Sequence, residues 1–369
     1  MKWFWNLNNK LLSVWFIFHP VWISAFWSQP ADTVLITPWR YDKPGAVSVS
    51  FDDGDELQYS IAAPIMEQYG IRGTFSIVGE WTAEKPAYTA EEGMFKIRRM
   101  SWEQLKRLTD KRHEIAAHGY RHVPYPKFAP SDSIAVQMKK IKNLIEQKLQ
   151  RPVYTLHYPY SIDTDSIRKA ARKAGFLLAR TAEAGKRFNT YDNFDPYYLA
   201  SIPIYNDTIP SLEKFQQILD GARGKWLIWM YHHIFPPQAK ENRIMKYHNV
   251  LHTYSVVPEI FARQMKSIAR SGYWIAPEYE VGAYIITRKH AEIQVTGSKC
   301  KRIVKLIAHP PSNTPPVPLT LAFYTNWKKV KILQNNKKEI KRNEKGKILL
   351  EAYPGEEIII KNISATCPF

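Results

Sequence analysis

The feature that most constrains the fold is a regular alternation of short apolar runs with amphipathic stretches between residues 46 and 288. The runs have the length and the β-branched and aromatic content of strands, whereas the stretches between them repeat apolar residues every three or four positions, as helices do. Such units indicate an α/β fold with a parallel sheet, either open or closed, and seven or eight strands favour closure into a (β/α)7-8 barrel. Strands are predicted at 46–51, 73–78, 114–117, 153–158, 176–180, 200–204, 226–231 and 273–276. Helices are predicted between the strands, for example at 135–149, 164–174, 211–219 and 258–269.

The residue pattern of the chain changes after Arg288. Helical spacing fades, residues 310–318 form a stiff proline-rich segment, and Lys, Asn and Gly separate the apolar runs that follow. These features predict a small all-β, sandwich-like module at 291–369 behind a main domain at 40–290. Nothing in this module looks catalytic. Its strands are expected at 319–324, 330–333, 348–350 and 357–360.

Residues 1–28 predict a signal peptide or a signal anchor. Lys2 and Lys10 precede an uncharged run at 11–27, 17 residues long, which His19 and Pro20 interrupt. A membrane span needs about 20 apolar residues, so a secretory signal fits better. Because no clear small-residue cleavage site follows, an uncleaved anchor stays open. We therefore expect a secreted, periplasmic or cell-envelope-associated protein.

The chain is strongly basic, since 52 Lys+Arg against 34 Asp+Glu give a formal charge of +18. From residue 291 onward, 14 Lys/Arg stand against 6 Glu. This balance predicts either a solvated basic face or contact with an anionic partner such as a membrane or envelope glycan. No nucleic-acid motif is present, and no nucleic-acid partner is expected. Cys300 and Cys367 are compatible with one disulfide but too few for a thiolate zinc site.

Two adjacent carboxylates, Asp52 and Asp53, follow the first predicted strand and precede Gly54. In a regular strand they would point to opposite faces of the sheet. They can serve one site only if the chain bends, which Gly54 permits. A plain Asp-Gly turn at the end of a strand is the alternative.

A second polar stretch contains His113, His118 and His122. A zincin helix needs two histidines four apart in a His-Glu-x-x-His motif, and His113 and His118 are five apart, which excludes it. His118 follows the predicted strand 114–117, and His122 is four residues further on. With Asp53 these imidazoles make a mixed nitrogen and oxygen site suited to Zn²⁺ or a similar divalent ion. Parallel folds place their sites at this carboxyl end of the strands.

The stretches Ser50-Phe51-Asp52-Asp53-Gly54 and His118-Gly119-Tyr120-Arg121-His122 resemble the first two motifs of the polysaccharide deacetylase family, the NodB-homology carbohydrate esterases. The segments 70–75 and 100–102 are similar to that family as well. The resemblance covers roughly residues 44–288. It implies a distorted βα barrel that removes N-acetyl or O-acetyl groups from glycans with a divalent metal ion.

The resemblance also implies the role of each residue. Asp53, His118 and His122 would be the metal ligands, and Asp52 would be the general base. The cofactor would be one divalent ion, with zinc expected first and Co, Ni, Mn or Fe as alternatives. A bound cation can lower the pKa of its water from 15.7 to about 7, and a neighbouring carboxylate can then take the proton.

Later motifs suggest further site residues. The strand at 226–231 ends in His232 and His233, and by register the family's acid histidine corresponds to His232, with His233 as second choice. The family's third motif is matched by Pro159 and Tyr160, but its arginine is replaced by His157. Tyr160, His157 and Arg180 would line the substrate site, and Arg180 could also supply the missing charge.

Three readings of the whole chain follow. The leading one is a metal-dependent deacetylase acting on an acetylated glycan, most simply at N-acetyl groups, with an O-acetyl esterase as a variant. The second is a catalytically inactive carbohydrate-binding protein on the same fold, which the replaced arginine motivates. The third, a two-histidine, one-carboxylate iron oxygenase, gives no role to Asp52 or His232. A second histidine pair, His248 and His252, lacks a nearby carboxylate.

Overall fold

A computed structural model describes residues 32–91, 95–127, 129–182, 188–204, 211–235, 254–343 and 345–364. The predicted signal segment, the His248 and His252 pair and Cys367 lie outside these residues. Within the described part of the chain, no helix is both long enough and apolar enough to cross a membrane.

The described chain contains twenty strands and seven α-helices. The strands are β1 (Thr33–Ile36), β2 (Ala46–Phe51), β3 (Thr74–Ile77), β4 (Ala87–Glu91), β5 (Phe95–Arg99), β6 (Glu114–Ala117), β7 (Thr155–His157), β8 (Leu178–Ala182), β9 (Leu199–Pro203), β10 (Trp226–Tyr231), β11 (His233–Ile234), β12 (Ser255–Val256), β13 (Trp274–Ile275), β14 (Ala291–Ser298), β15 (Lys301–Ala308), β16 (Leu319–Tyr324), β17 (Lys329–Gln334), β18 (Lys337–Arg342), β19 (Lys347–Ala352) and β20 (Glu357–Asn362). The helices are α1 (Ala63–Gln68), α2 (Trp102–Asp110), α3 (Ser131–Leu149), α4 (Asp165–Lys173), α5 (Leu212–Asp220), α6 (Pro258–Arg270) and α7 (Glu278–Lys289).

Seven parallel strands close into a barrel in the order β10-β9-β8-β7-β6-β3-β2, and β10 pairs with β2 to complete the ring. The predicted β/α barrel is therefore confirmed, with seven strands in the ring. The predicted strand at 273–276 is not one of them. It forms β13, which pairs with the start of β2 at Ala46 and Val47, whereas β3 pairs with the end of β2 at Ser50 and Phe51. The ring is splayed at this point, which accounts for the distortion.

The helices pack on the barrel with one apolar face each. In α3, for example, Ile134, Met138 and Ile141 recur at spacings of three and four and are fully buried, the pattern of a helix lying on a core. Helix α2 begins at a capping box, in which Ser101 accepts a hydrogen bond from the backbone of Gln104 and the Gln104 side chain accepts one from Ser101. These helices fix the positions of the strands they connect.

The C-terminal region forms two antiparallel sheets, as predicted for an all-β module. One has the strand order β1-β16-β19 and the other β14-β15-β20-β17-β18. Strand β1, which precedes the barrel in sequence, was not predicted and pairs with β16 along its whole length. Cys300, between β14 and β15, is disulfide-bonded.

The two sheets cover one end of the barrel. Their apolar side chains share a core with residues at the beginnings of barrel strands, including Ala46, Leu178, Leu199 and Trp226. The sheets therefore close the amino-terminal end of the barrel. The carboxyl ends of the same strands lie at the opposite end.

Candidate active site

Most of the predicted site residues lie at the carboxyl ends of barrel strands. Asp52 follows β2, His118 follows β6, and His232 follows β10. His157 is the last residue of β7, and Arg180 lies within the neighbouring strand β8. Because all these strands are parallel neighbours in one closed ring, the side chains meet at one end of the barrel.

The backbone bends sharply between the two aspartates. Asp53 and Gly54 both have left-handed backbone angles, with φ of 75° and 68°, so the bend begins one residue before the glycine that was expected to supply it. An aspartate whose backbone adopts the left-handed conformation lowers the stability of the fold by about 1–3 kcal/mol. Arg99 supports it by donating a hydrogen bond to the Asp53 carbonyl at 3.0 Å. The bend gives Asp52 and Asp53 separate surroundings at the same site.

Asp53, His118 and His122 form a cluster in which one ligand atom from each residue lies within 4.8 Å of the others. The Nε2 atoms of His118 and His122 lie 3.4 Å and 3.5 Å from the same Asp53 oxygen, Oδ1. That oxygen is buried and accepts no hydrogen bond within the described residues. Ligand atoms about 2.1 Å from one tetrahedral zinc ion lie about 3.4 Å apart. The three side chains therefore fit a divalent metal ion.

Neighbouring groups orient both imidazoles. The Nδ1 atom of His118 lies 2.9 Å from the His157 carbonyl, and a hydrogen bond donated there leaves the Nε2 lone pair for a metal ion. His122 lies between two aromatic rings, with centroids 5.0 Å from Trp81 and 4.6 Å from Tyr160. Burial lowers the pKa of His122 to about 4, against the opposing effect of Asp53. Its imidazole is therefore neutral near pH 7, the form that binds metals.

Asp52 lies beside the group formed by Asp53, His118 and His122 but is not part of it. Its Oδ1 accepts a hydrogen bond from Ser76 Oγ at 2.9 Å, lies 2.7 Å from His157 Nδ1, and is paired with the Arg180 guanidinium. Burial alone would raise the pKa of Asp52, but Arg180 and the histidines around it hold the pKa well below its usual range. The carboxylate is therefore ionised at neutral pH.

Glu278, the first residue of α7, completes the surroundings of Asp52. It is fully buried, and its carboxylate lies 3.1 Å from His157 Nε2 and 3.7 Å from Arg180 Nε. Arg180 and His157 thus each lie between two carboxylates. Removing one partner of such a buried charged group lowers the stability of the fold by about 3–5 kcal/mol, because the remaining charge is left without compensation.

The three residues expected at the substrate occupy two different places. Tyr160 is 44% exposed and lies at the mouth of the site against His122. His157 and Arg180 are 0% and 1% exposed and lie behind Asp52. Their side chains contact the carboxylate of Asp52, so in this structure they position Asp52 and do not face a substrate.

The two histidines after β10 differ in their contacts. His233 is buried, and its Nδ1 lies 2.7 Å from an Asp55 carboxylate oxygen. His232 is half-buried, and its Nδ1 has no hydrogen-bond partner among the described residues. The side chain of Gln58 holds the His232 segment next to Asp52 by donating to both backbone carbonyls, at 2.8 Å and 2.6 Å. Burial lowers the pKa of His232, with Asp53 and Asp52 opposing.

Sequence reasoning missed Gln58, Ser76, Asp55 and Glu278. Gln58 and Asp55 lie within six residues of Asp52, but a lone Gln or Asp there has no motif. Ser76 lies inside β3, in a strand that the sequence did predict. A glutamate opening a helix is ordinary capping chemistry, so nothing in the sequence distinguished Glu278.

Glu114, at the start of β6, is a further buried carboxylate. It accepts hydrogen bonds from the hydroxyls of Thr74 and Thr155 and from the backbone of Tyr279. Burial raises the pKa of Glu114 to about 7, and the nearby charge of Glu278 adds to this effect. Between about pH 4.5 and 7 the unfolded chain therefore loses a proton that the folded chain retains.

This difference predicts that the wild-type protein loses up to about 3 kcal/mol of folding free energy as the pH rises through that window, and that the loss persists above it. Urea unfolding of wild type and Glu114→Gln at about pH 5 and about pH 8 measures it. The difference in stability between the two proteins should shift in favour of the variant at the higher pH. Glu103→Gln, at an exposed position of α2, should show no such shift. A pH-independent difference for Glu114→Gln would contradict the prediction.

Residues 40–179 match the family model described as polysaccharide deacetylase. YxkH of Bacillus subtilis (strain 168) is 23% identical over 153 residues, which cover 42% of this chain and 50% of that protein. The poly-beta-1,6-N-acetyl-D-glucosamine N-deacetylase of Staphylococcus aureus (strain MSSA476) is 26% identical over 182 residues, which cover 46% of this chain and 58% of that protein.

The chain thus spans about half the length of the curated relatives it matches. Among solved structures, a de-N-acetylase from Aggregatibacter actinomycetemcomitans is similar at 18% sequence identity with a TM-score of 0.40. That similarity covers 46% of this chain and 74% of the other. The family match contains Asp52, Asp53, His118 and His122 and ends one residue before Arg180.

Proposed function

Because residues 40–179 match the polysaccharide deacetylase family model, we propose that this chain hydrolyses acetyl groups of a glycan with the help of one divalent metal ion. One observation carries the proposal. A buried oxygen of Asp53 faces the Nε2 atoms of His118 and His122, while the carboxylate of Asp52, directly adjacent in sequence, is held outside that cluster. A metal site with a separate base is an arrangement that can activate water to hydrolyse an acetyl group.

Asp53, His118 and His122 would hold the ion. When bound, a divalent ion supplies Lewis acidity, which makes water a better nucleophile and polarises the acetyl carbonyl. The S. aureus relative has an N-deacetylase name, and we propose zinc and an N-acetylated sugar polymer for this chain as well. The half-exposed ring of Tyr160 at the mouth supports a sugar substrate, because aromatic faces pack against apolar surfaces of sugars.

Asp52 would act as the general base toward the attacking water. Its three contacts with Ser76, His157 and Arg180 all involve Oδ1, so Oδ2 carries none of them and can accept the proton. Gln58 and the backbone bend at Asp53 fix the direction of this carboxylate. The proton then remains on a group that Arg180 and His157 hold in place.

His232 would donate the proton that the departing nitrogen needs. We expect His232→Ala to lower kcat about 100- to 1,000-fold, the usual range for loss of an acid, with metal content unchanged. His233→Ala is the matched control, because it removes a neighbouring imidazole that is bonded to Asp55. It should chiefly lower thermal stability. A larger loss of kcat in His233→Ala than in His232→Ala would reverse the two assignments.

Arg180 would keep Asp52 ionised at low pH. Removing this cation as Arg180→Gln should raise the pKa of Asp52, because the carboxylate loses the charge that stabilises it. The acid limb of kcat/KM should therefore move to higher pH by about one to three units. Arg180→Lys keeps the positive charge, so its kcat/KM should depend on pH much as that of wild type does. An unmoved acid limb in a folded Arg180→Gln protein would contradict the role.

The experiment that tests the function is acetate release from a panel of acetylated glycans. The panel includes chitin-like oligomers, poly-N-acetylglucosamine, peptidoglycan and acetylated xylan, each assayed with and without a chelator and with Zn²⁺, Co²⁺, Ni²⁺, Mn²⁺ or Fe²⁺ restored. Release from N-acetylated members that stops with the chelator supports the proposal. Release from xylan alone indicates an O-acetyl esterase. Binding without release under every metal condition indicates the carbohydrate-binding alternative.

We also propose that the protein works outside the cytoplasm or at the cell envelope. The uncharged segment after Lys10 supports this, together with the glycan substrate. Fractionation of cells that produce the full chain tests it. Recovery in the cytoplasmic fraction alone would overturn it.

A further inference from the structure

One face of the five-stranded antiparallel sheet carries an unusual concentration of cations. The pairing register places alternate residues of the five strands on this face, which we call the outer sheet face. The other face of the same strands is the buried one, with Val304, Val330 and Ile358 fully buried. The charged residues of the outer sheet face are Lys301, Lys305, Lys329, Lys331, Lys338, Arg342, Lys361, Glu292 and Glu357.

The cations are only partly balanced by neighbours, because Glu357 lies directly opposite Lys305. None of the seven forms an ion pair with another residue in the described ranges. Lys301, Lys361 and Lys331 lie directly opposite one another on three adjacent strands. Like charges in such a row destabilise a sheet. Consistent with this, contact with Lys338 and the charge of Lys361 lower the pKa of Lys331. The row of like charges therefore lowers the stability of the sheet unless an anion binds to it.

Aliphatic side chains lie between the cations on the same face. Ile303, Ile359 and Leu333 form a row across three strands, immediately beside the lysine row. All three are partly exposed. Ile340, on the edge strand β18 next to Lys331, is 52% exposed. The outer sheet face thus combines a hydrophobic row with unpaired cations.

This combination distinguishes between anionic partners. An anionic polymer in water offers charges for the lysines but no apolar environment for the aliphatic row. The boundary between the headgroups and the acyl chains of a membrane offers both. The site end of the barrel also lies at the end opposite the β-sheet module, so contact of the module with a surface leaves the site accessible.

We propose that the outer sheet face docks on the surface of a membrane that contains anionic phospholipids. Docking brings phosphate groups to the lysines and buries the aliphatic row at the level of the headgroups. Each lysine near such a surface strengthens binding, and the attraction falls off within a Debye length. The catalytic end then faces away from the lipid, toward glycan beyond the membrane.

Co-sedimentation with vesicles tests the proposal. The full chain is mixed with vesicles of equal parts phosphatidylglycerol and phosphatidylcholine, or of phosphatidylcholine alone. One variant replaces Lys329, Lys331, Lys338 and Lys361 with glutamine. Its control makes the same change at four exposed lysines on the barrel helices, Lys106, Lys139, Lys169 and Lys266. Both variants lose the same charge and keep the same N-terminal segment.

We expect the sheet variant to bind the anionic vesicles at least about tenfold more weakly, and the control variant to bind within about twofold of wild type. Ile340→Ser should weaken binding about fivefold, because it removes part of the apolar contact. Equal losses in the two glutamine variants, or full binding by the sheet variant, would overturn the proposal. Insensitivity to Ile340→Ser, with equally tight binding to dextran sulfate, would indicate an anionic polymer and also overturn it.

This proposal and the proposed enzymatic function fail separately. Acetate release from a soluble oligosaccharide should be the same in wild type and in all three variants, because none of the changed residues lies near the site. Loss of vesicle binding with acetate release retained is the result expected for the sheet variant. Absence of acetate release in wild type would count against the enzyme alone.

Discussion

An Asp53→Asn protein is expected to purify without its divalent ion and to release acetate at least about 1,000-fold more slowly than wild type, since the ion contributes several kcal/mol to the transition state. Asp53 is the anionic member of the cluster, and its Oδ1 faces both imidazoles. An amide oxygen in the same place carries no charge to offset a divalent cation. Metal analysis of the purified protein and acetate release measure the two effects.

The control is Asp165→Asn, at an exposed position at the start of α4. It should retain both metal and activity. A second measurement separates loss of the ion from loss of folding: the thermal transition of Asp53→Asn should equal that of chelator-treated wild type. A full complement of metal in Asp53→Asn would show that the ion is held elsewhere.

The second large effect is expected at Asp52. Asp52→Asn should lower kcat roughly 100- to 10,000-fold, the range for loss of a general base, while the metal content stays close to that of wild type. The amide can still accept a hydrogen bond from Ser76 through its oxygen, so the surroundings of the cluster are retained. Metal analysis therefore distinguishes this variant from Asp53→Asn.

The two adjacent substitutions thus make a matched pair. They remove one charge each from neighbouring positions, yet one should lose the ion and the other should keep it. If both lost the ion, Asp52 would belong to the metal site. If Asp52→Asn kept its activity, the proton would have to go to another group, and the mechanism proposed above would fail.

The parts of the site that were predictable from sequence share a simple geometry. Asp52, His118 and His232 each follow an apolar strand, and the carboxyl ends of parallel strands meet at one end of a barrel. Their convergence therefore follows once the strands are recognised. That His118 and His122 lie close together could be inferred from their four-residue spacing in the sequence alone.

The surroundings of Asp52 could not be predicted in the same way. Glu278 is separated from Asp52 by more than 200 residues, and it contacts His157 and Arg180, the partners of Asp52, only because α7 packs at the barrel. That helix was itself missed, because most of its residues are buried. A helix covered on all sides has no polar face, so the periodicity that reveals a surface helix is absent.

Two of the strands that the sequence did not predict have the opposite character. Strand β14 is exposed along most of its length, and its only large apolar residues are Ile293 and Val295. Strand β1 is four residues long, too short for a pattern of alternation to be read. Strand β1 is a strand because it pairs with the distant strand β16, whereas β14 pairs with β15, the next strand in the chain.

The pairing of β1 with β16 has a consequence for how the chain is completed. Thr33–Ile36 hydrogen-bonds to a strand that begins at Leu319, so one of the first described segments must wait for one of the last. Long-range pairing of this kind slows folding, because loop closure comes before the contacts that reward it. During synthesis at about 5–20 residues per second, β1 stays unpaired for tens of seconds. A chain that emerges gradually from the ribosome therefore exposes the unpaired edge of β1 until β16 has been synthesised. A chaperone or export partner that binds this edge would prevent incorrect pairing.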